Sequence, residues 1–174
     1  MNNLLTLVQS VLSTSATRWQ VMTELIPPEL LNLEPAKGEW SAIDCLQHVI
    51  DTERQVFPVR LQAFLRGQDF PGFDPALQQG KARAKRSPSI MAKEFSDLRN
   101  ANLKLLEKVT EADLTLTARH AELGQVTLGE MLNEWAGHDL MHIVQAERAI
   151  MQYFIPGTGS WRKYFSDHDF NAHQ

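Results

Sequence analysis

Thr127-Leu-Gly-Glu-Met-Leu-Asn-Glu-Trp-Ala-Gly-His-Asp-Leu-Met-His-Ile-Val-Gln-Ala-Glu147 reads as one long helix carrying two histidines, His138 and His142, one turn apart. Residues four apart lie on the same helix face, and two imidazoles at that spacing can chelate a single metal ion. Thr127 and Glu130 form a capping box that starts the helix, with Val126 and Met131 fitting a hydrophobic staple around it. The apolar stripe runs through Leu128, Met131, Leu132, Trp135, Ala146, Ala149 and Tyr153. Both histidines fall inside that stripe. They face the core, where a bare imidazole needs a partner. The rest of the chain must supply helices to cover the stripe and, for a metal, a third ligand.

Working outward, residues 4–26 repeat Leu4, Leu7, Val8, Val11, Leu12, Ser15, Trp19, Met22 and Ile26 at helical spacing, and Pro27-Pro28 stops the run. Residues 29–40 form a connection punctuated by Pro35 and Gly38. Ser41 with Asp44 marks a second helix start, and that helix is expected over residues 42–65. It is apolar on two faces, so several neighbours pack on it, as in a bundle. Pro58 inside it predicts a kink. Residues 67–81 are a turn-rich link, long for a bundle connection, followed by the basic run 81–86. Ser87 and Pro88 open a third helix with apolar Met91, Phe95, Leu98, Leu105, Leu106 and Val109. Residues 110–126 make a mixed link with a short turn at Glu111-Ala-Asp113. No convincing strand run, internal repeat or glycine-rich phosphate loop appears. Ile155-Pro-Gly-Thr-Gly ends the fourth helix, leaving 160–174 as a polar tail with Trp161 and Tyr164 as expected anchors. The pattern is all-α: four helices with two longer links.

The bounds agree. At 174 residues the chain fits one domain, 1–174. With 43% apolar and 22% charged residues it has an ordinary globular composition. A net charge of -4 argues against a nucleic-acid partner. No run approaches the ~18 apolar residues of a membrane span. The first basic residue, Arg18, comes too late for a signal peptide. Cys45 is the only cysteine, which excludes an internal disulfide. Together these give the cytoplasm as the expected location.

His48 on the second helix is the candidate third ligand. Three imidazoles and one or more waters make an open transition-metal site, and neutral nitrogen ligands suit zinc, nickel or iron. The competing reading makes each histidine a hydrogen-bonded core residue. Gln145 and Glu134, each about a turn from a histidine, are candidates to orient a ring. Asp44 and Asp51 flank His48 in the same way, with capping or solvation as the plainer role. Cys45 either adds a thiolate or is an inert buried thiol. Asp139 points away from the pair, so there is no His-Glu-x-x-His motif. The basic run either holds an acidic cosubstrate or is solvated. His120, His168 and His173 fall in links or tail without a role.

Gly38-Glu-Trp40-Ser41 leading into the second helix, His48 after it, and His138-Asp-Leu-Met-His142-Ile-Val-Gln145 near the end resemble the DinB-like (DinB/YfiT) four-helix-bundle metalloproteins of bacteria. The order and spacing match along residues 4–163. The resemblance implies an up-up-down-down bundle with a long second connection. It also implies a divalent-metal site on His48, His138 and His142, and a homodimer. Members with an activity resemble low-molecular-weight-thiol transferases or isomerases. The expected function is therefore a metal-dependent transferase joining a bacillithiol- or mycothiol-type thiol to an electrophile. The alternatives are a non-enzymatic bundle in a stress response and a metal-assisted hydrolase.

Overall fold

Capping residues and prolines set the helix boundaries. The structure, a computed structural model, describes residues 3–70, 72 and 86–170. Helix α1 (Leu4–Leu25) starts on Asn3, whose side chain accepts from the Thr6 N–H at 2.9 Å. A short helix α2 (Pro28–Leu31) follows the double proline. Helix α3 (Ala42–Gln55) carries the Ser41–Asp44 capping box. The helix expected over 42–65 is two helices: α4 (Phe57–Arg66) begins after a break at Val56 (φ -111°, ψ -71°). Pro58, second residue of α4, has no N–H to continue the ladder, which is the cause of the expected kink. Gly67 closes α4 in the left-handed region (φ 63°), where a side chain would be strained. Helix α5 (Pro88–Leu106) has proline in its first turn, and α6 (Leu128–Met151) carries the Thr127–Glu130 capping box.

Helix α1 packs on α5 and α6, and α3 packs on the same two. Ser15 meets Asp139 and Arg18 meets Glu147, so α1 and α6 run parallel. Arg60 meets Glu134 while His48 meets His138, so α3–α4 run against α6. Round the bundle, α6, α1, α5 and α3 point up, up, down, down. Along the chain the directions are up, down, down, up. Helix α5 is parallel to α4, and parallel neighbours need a longer connection than a tight turn. The central part of that connection, 73–85, lies outside the described residues, as does most of the basic run.

Two apolar clusters fill the bundle. One gathers Leu5, Val8, Leu12, Phe57, Leu61, Leu106, Leu132 and Trp135. The other gathers Trp19, Leu46, Val49, Ile50, Met91, Phe95, Ile143 and Ala146. A polar layer lies between them, with one residue from each principal helix: Ser15, Glu53, Arg99 and Asp139. All four are buried.

Two expectations are corrected. Residues 110–127 contain a short 3-10 helix (Glu111–Thr115) and then an antiparallel hairpin of β1 (Thr117–His120) and β2 (Gly124–Thr127). Gly124 (φ 79°) makes its turn. Leu128 N–H donates to Leu116 O at 2.8 Å, so the hairpin delivers the chain directly into α6. In the tail, Trp161 and Tyr164 are exposed and anchor nothing. The anchoring comes from Arg148 and Gln152, which donate to His168 O, and from the Arg162–Asp169 ion pair.

Candidate metal centre

Helices α3 and α6 cross with His48, His138 and His142 facing one another. The ring centroids of His48 stand 5.1 Å from His138 and 4.6 Å from His142, and those of the α6 pair are 4.4 Å apart. One nitrogen from each ring lies within 4.8 Å of the other two. The Nε2 atoms of His48 and His138 are 3.1 Å apart. Two nitrogens bound to one ion at ~2.0–2.1 Å stand roughly 3.0–3.4 Å apart, so that pair already has a chelating span.

The donor set also fits in its chemistry. A ligating imidazole must be neutral. Burial, reinforced by His142, His48, Arg60 and Arg99, pushes the His138 pKa down to about 3. Burial likewise lowers that of His142, against the opposing pull of its Gln145 hydrogen bond and Asp139. His142 Nδ1 lies 2.9 Å from Gln145 Oε1. The amide oxygen can only accept, so Nδ1 carries the proton and Nε2 presents its lone pair. His138 Nδ1 is buried with no hydrogen-bond partner.

The surroundings are aromatic. Trp40 stacks on His142 at 5.9 Å with its plane 18° away, and its ring lies 5.1 Å from His48. Phe57 meets His138 edge-on at 5.3 Å. Trp40 thus roofs the site from the loop before α3, and Phe57 floors it from the start of α4.

The other candidates sort as follows. Gln145 holds His142, as expected. Glu134 turns instead to Arg60, 3.6 Å away. Asp44 is occupied in the cap of α3, and Asp51 accepts from Gln47. Cys45 is fully buried, and burial together with Asp44 raises its pKa to about 12. It lies outside the three-histidine cluster and is the inert buried thiol.

Asp139 points away from the triad, but into the core rather than to solvent. Arg99 donates to Asp139 Oδ2 and Oδ1 at 2.6 and 2.9 Å and to Glu53 Oε1 and Oε2 at 2.6 and 2.9 Å. It also donates to Leu12 O and Ser15 Oγ. Asn102 and Trp135 donate to Glu53, and Ser15 donates to Asp139. Burial opposes the Arg99 charge, yet Asp139 and Glu53 raise its pKa further. The layer reaches the two histidines of α6 with opposite signs: Arg99 lowers the pKa of His138, whereas Asp139 raises that of His142.

The chain matches the family model of the DinB superfamily over residues 12–146. It is similar to YfiT from Bacillus subtilis, described as a probable metal-dependent hydrolase with an unusual four-helix bundle topology. The identity is 17% and the TM-score 0.74, over 86% of this chain and 87% of that one. It is also similar to the DinB-like protein YjoA from Bacillus subtilis, with 16% identity and a TM-score of 0.56 over 84% and 91%. No curated protein matches it. At these identities the likeness carries the fold.

Proposed function

The chain belongs to the DinB superfamily, and from that premise we propose that it is a divalent-metal-dependent enzyme with His48, His138 and His142 as ligands. The observation that carries this is the convergence of three buried or half-buried imidazoles, two of them with lowered pKa, from helices that the bundle holds rigidly. Zinc, nickel and iron all suit the three nitrogens. Cys45 does not close the set, so a coordination position stays open for a reactant.

A bound divalent ion would lower the pKa of a thiol or a water placed there, making a nucleophile at neutral pH. The chain's own residues do the rest. Gln145 fixes the His142 tautomer. Trp40 and Phe57 keep bulk water from the imidazoles. The reaction proposed is transfer of a bacillithiol- or mycothiol-type thiol to an electrophile. Metal-assisted hydrolysis is the second reading, favoured by the description of YfiT. A structural, non-enzymatic role in a stress response is the third.

The discriminating experiment incubates metal-loaded protein and His138→Ala with a model electrophile and bacillithiol, mycothiol, glutathione or coenzyme A, and separately with ester and amide substrates. Thiol conjugation lost in the variant supports transfer. Hydrolysis alone supports the second reading. Neither, in protein shown to hold metal, leaves the structural role.

We also read residues 1–174 as a single domain with 160–174 as its tail, acting in the cytoplasm as a homodimer. No described helix is long and apolar enough to cross a membrane. The exposed Leu140, Met141 and Val144 on the outer face of α6 support a dimer contact, and sedimentation tests it.

A further inference from the structure

One turn before His138 on α6, a cavity of about 290 Å³ opens between α4, α6 and the hairpin. Its polar lining is Arg60, His120, Glu122, Glu130 and Glu134, and its apolar lining is Phe70, Leu123, Val126 and Met131. His120 is buried at the end of β1. The backbone N–H groups of Glu122 and Leu123 donate to its Nδ1 at 3.1 and 3.3 Å. One imidazole cannot accept at both ring nitrogens without a proton on either, and with two N–H groups aimed at Nδ1 we assign the ring proton to Nε2. The Arg60 guanidinium nitrogen lies 3.3 Å from that same Nε2. Guanidinium has only donors. Two N–H groups therefore face each other inside a pocket, an arrangement that an acceptor between them relieves. Arg60 is held there over the Phe70 ring at 5.6 Å, and Phe70 meets His120 edge-on. The site is built rather than accidental.

The acids fix the rest of the ligand. Glu130 is committed to the α6 cap, accepting from Thr127 N and Oγ1. Glu122 and Glu134 remain on the cavity wall, with Glu134 3.6 Å from Arg60. They repel a ligand of purely negative charge and attract an accompanying cation. We propose that this pocket binds a small amphiphilic zwitterion. Its carboxylate sits between Arg60 and the His120 Nε2–H, its ammonium at Glu122 and Glu134, and its apolar body against Leu123, Val126 and Met131. The volume suits a molecule of amino-acid size. The inference stands on the pocket alone and not on metal at the triad.

The test is an NMR titration of the full chain with L-leucine, 4-methylpentanoate (no ammonium) and isoamylamine (no carboxylate), following backbone amides and the His120 ring nitrogens. The free protein shows His120 as the Nε2–H tautomer. Leucine shifts Arg60, His120 and Leu123 signals saturably at millimolar concentration. Each half-ligand binds about tenfold more weakly or worse, since a charged partner is lost. Arg60→Met loses leucine binding. So does His120→Asn, whose side-chain oxygen still accepts from the turn N–H groups and so preserves the hairpin. The same titration in His138→Ala is unchanged, which separates this site from the metal reading. Isoamylamine binding as tightly as leucine, and surviving Arg60→Met, would show a cation site and overturn the proposal. So would an Nδ1–H tautomer, or no saturable shift with leucine.

Discussion

Among the described residues Arg99 is the one fully buried cation, and replacing it by methionine removes that charge while keeping an unbranched side chain of similar length. Arg99 is fully buried, and its five N–H groups make six contacts: with Glu53, Asp139, Ser15 and the Leu12 carbonyl. The variant leaves Glu53 and Asp139, 1% and 2% exposed, facing each other without a counter-charge. Stripping one partner from a buried ion pair costs about 3–5 kcal/mol. A domain of this size holds about 5–15 kcal/mol in total. Arg99→Met is therefore expected to lose about a fifth or more of the stability, read by urea denaturation at neutral pH as a lowered midpoint with unchanged slope. The triple variant Glu53→Gln, Arg99→Met, Asp139→Asn removes the charges together. It should be more stable than the single variant by about 1 kcal/mol or more, because no uncompensated charge stays behind. A loss below about 1 kcal/mol in Arg99→Met would refute the reasoning. It would show that the layer tolerates unpaired carboxylates, hence that water reaches it.

Three further outcomes follow from the histidine site and the buried thiol. Metal-free protein should lose stability as pH falls below ~6.5, by roughly 1.4 kcal/mol per pH unit for each histidine kept neutral. The sign follows from His138: the unfolded chain gains its proton near 6.5, whereas the folded chain holds out to about 3. The contribution is complete above the unfolded value and shrinks on acidification, and chemical denaturation of wild type against His138→Gln across pH measures it. Gln145→Ala should weaken metal affinity by about 10–100-fold through the freed His142 ring, with competitive chelation as the readout. Cys45 should resist an aromatic disulfide reagent in native protein and react in urea, because its thiol is buried with a pKa of about 12.

Helix starts were legible because capping is local. Ser41–Asp44 and Thr127–Glu130 each announce a boundary within four residues. The His138–His142 pair was legible from spacing. His48 was legible as a candidate third ligand because it lies on a helix with two apolar faces, and the family resemblance implies the same residue. The hairpin was missed because its strands are four residues each, with arginine, histidine and glutamine among them. Their partner is set by register, not by composition. The Arg99 layer left a signal that went unread. Ser15, Glu53, Arg99 and Asp139 each interrupt an apolar stripe, as between Leu12 and Trp19 or between Phe95 and Leu106. A polar residue on the buried face of one helix reads as an exception, and four of them predict a network. The Arg60–His120 pocket depends on α4 meeting the hairpin, which no single segment reveals.

The central claim is that three imidazoles hold one metal ion, and elemental analysis of protein purified without an affinity tag tests it most directly. The account predicts one zinc, nickel or iron per chain at neutral pH. It predicts occupancy far below one in each of His48→Ala, His138→Ala and His142→Ala, with the bundle still folded by circular dichroism. Folded wild type that takes up no divalent metal, or a His142→Ala variant that holds it as tightly as wild type, would contradict the account.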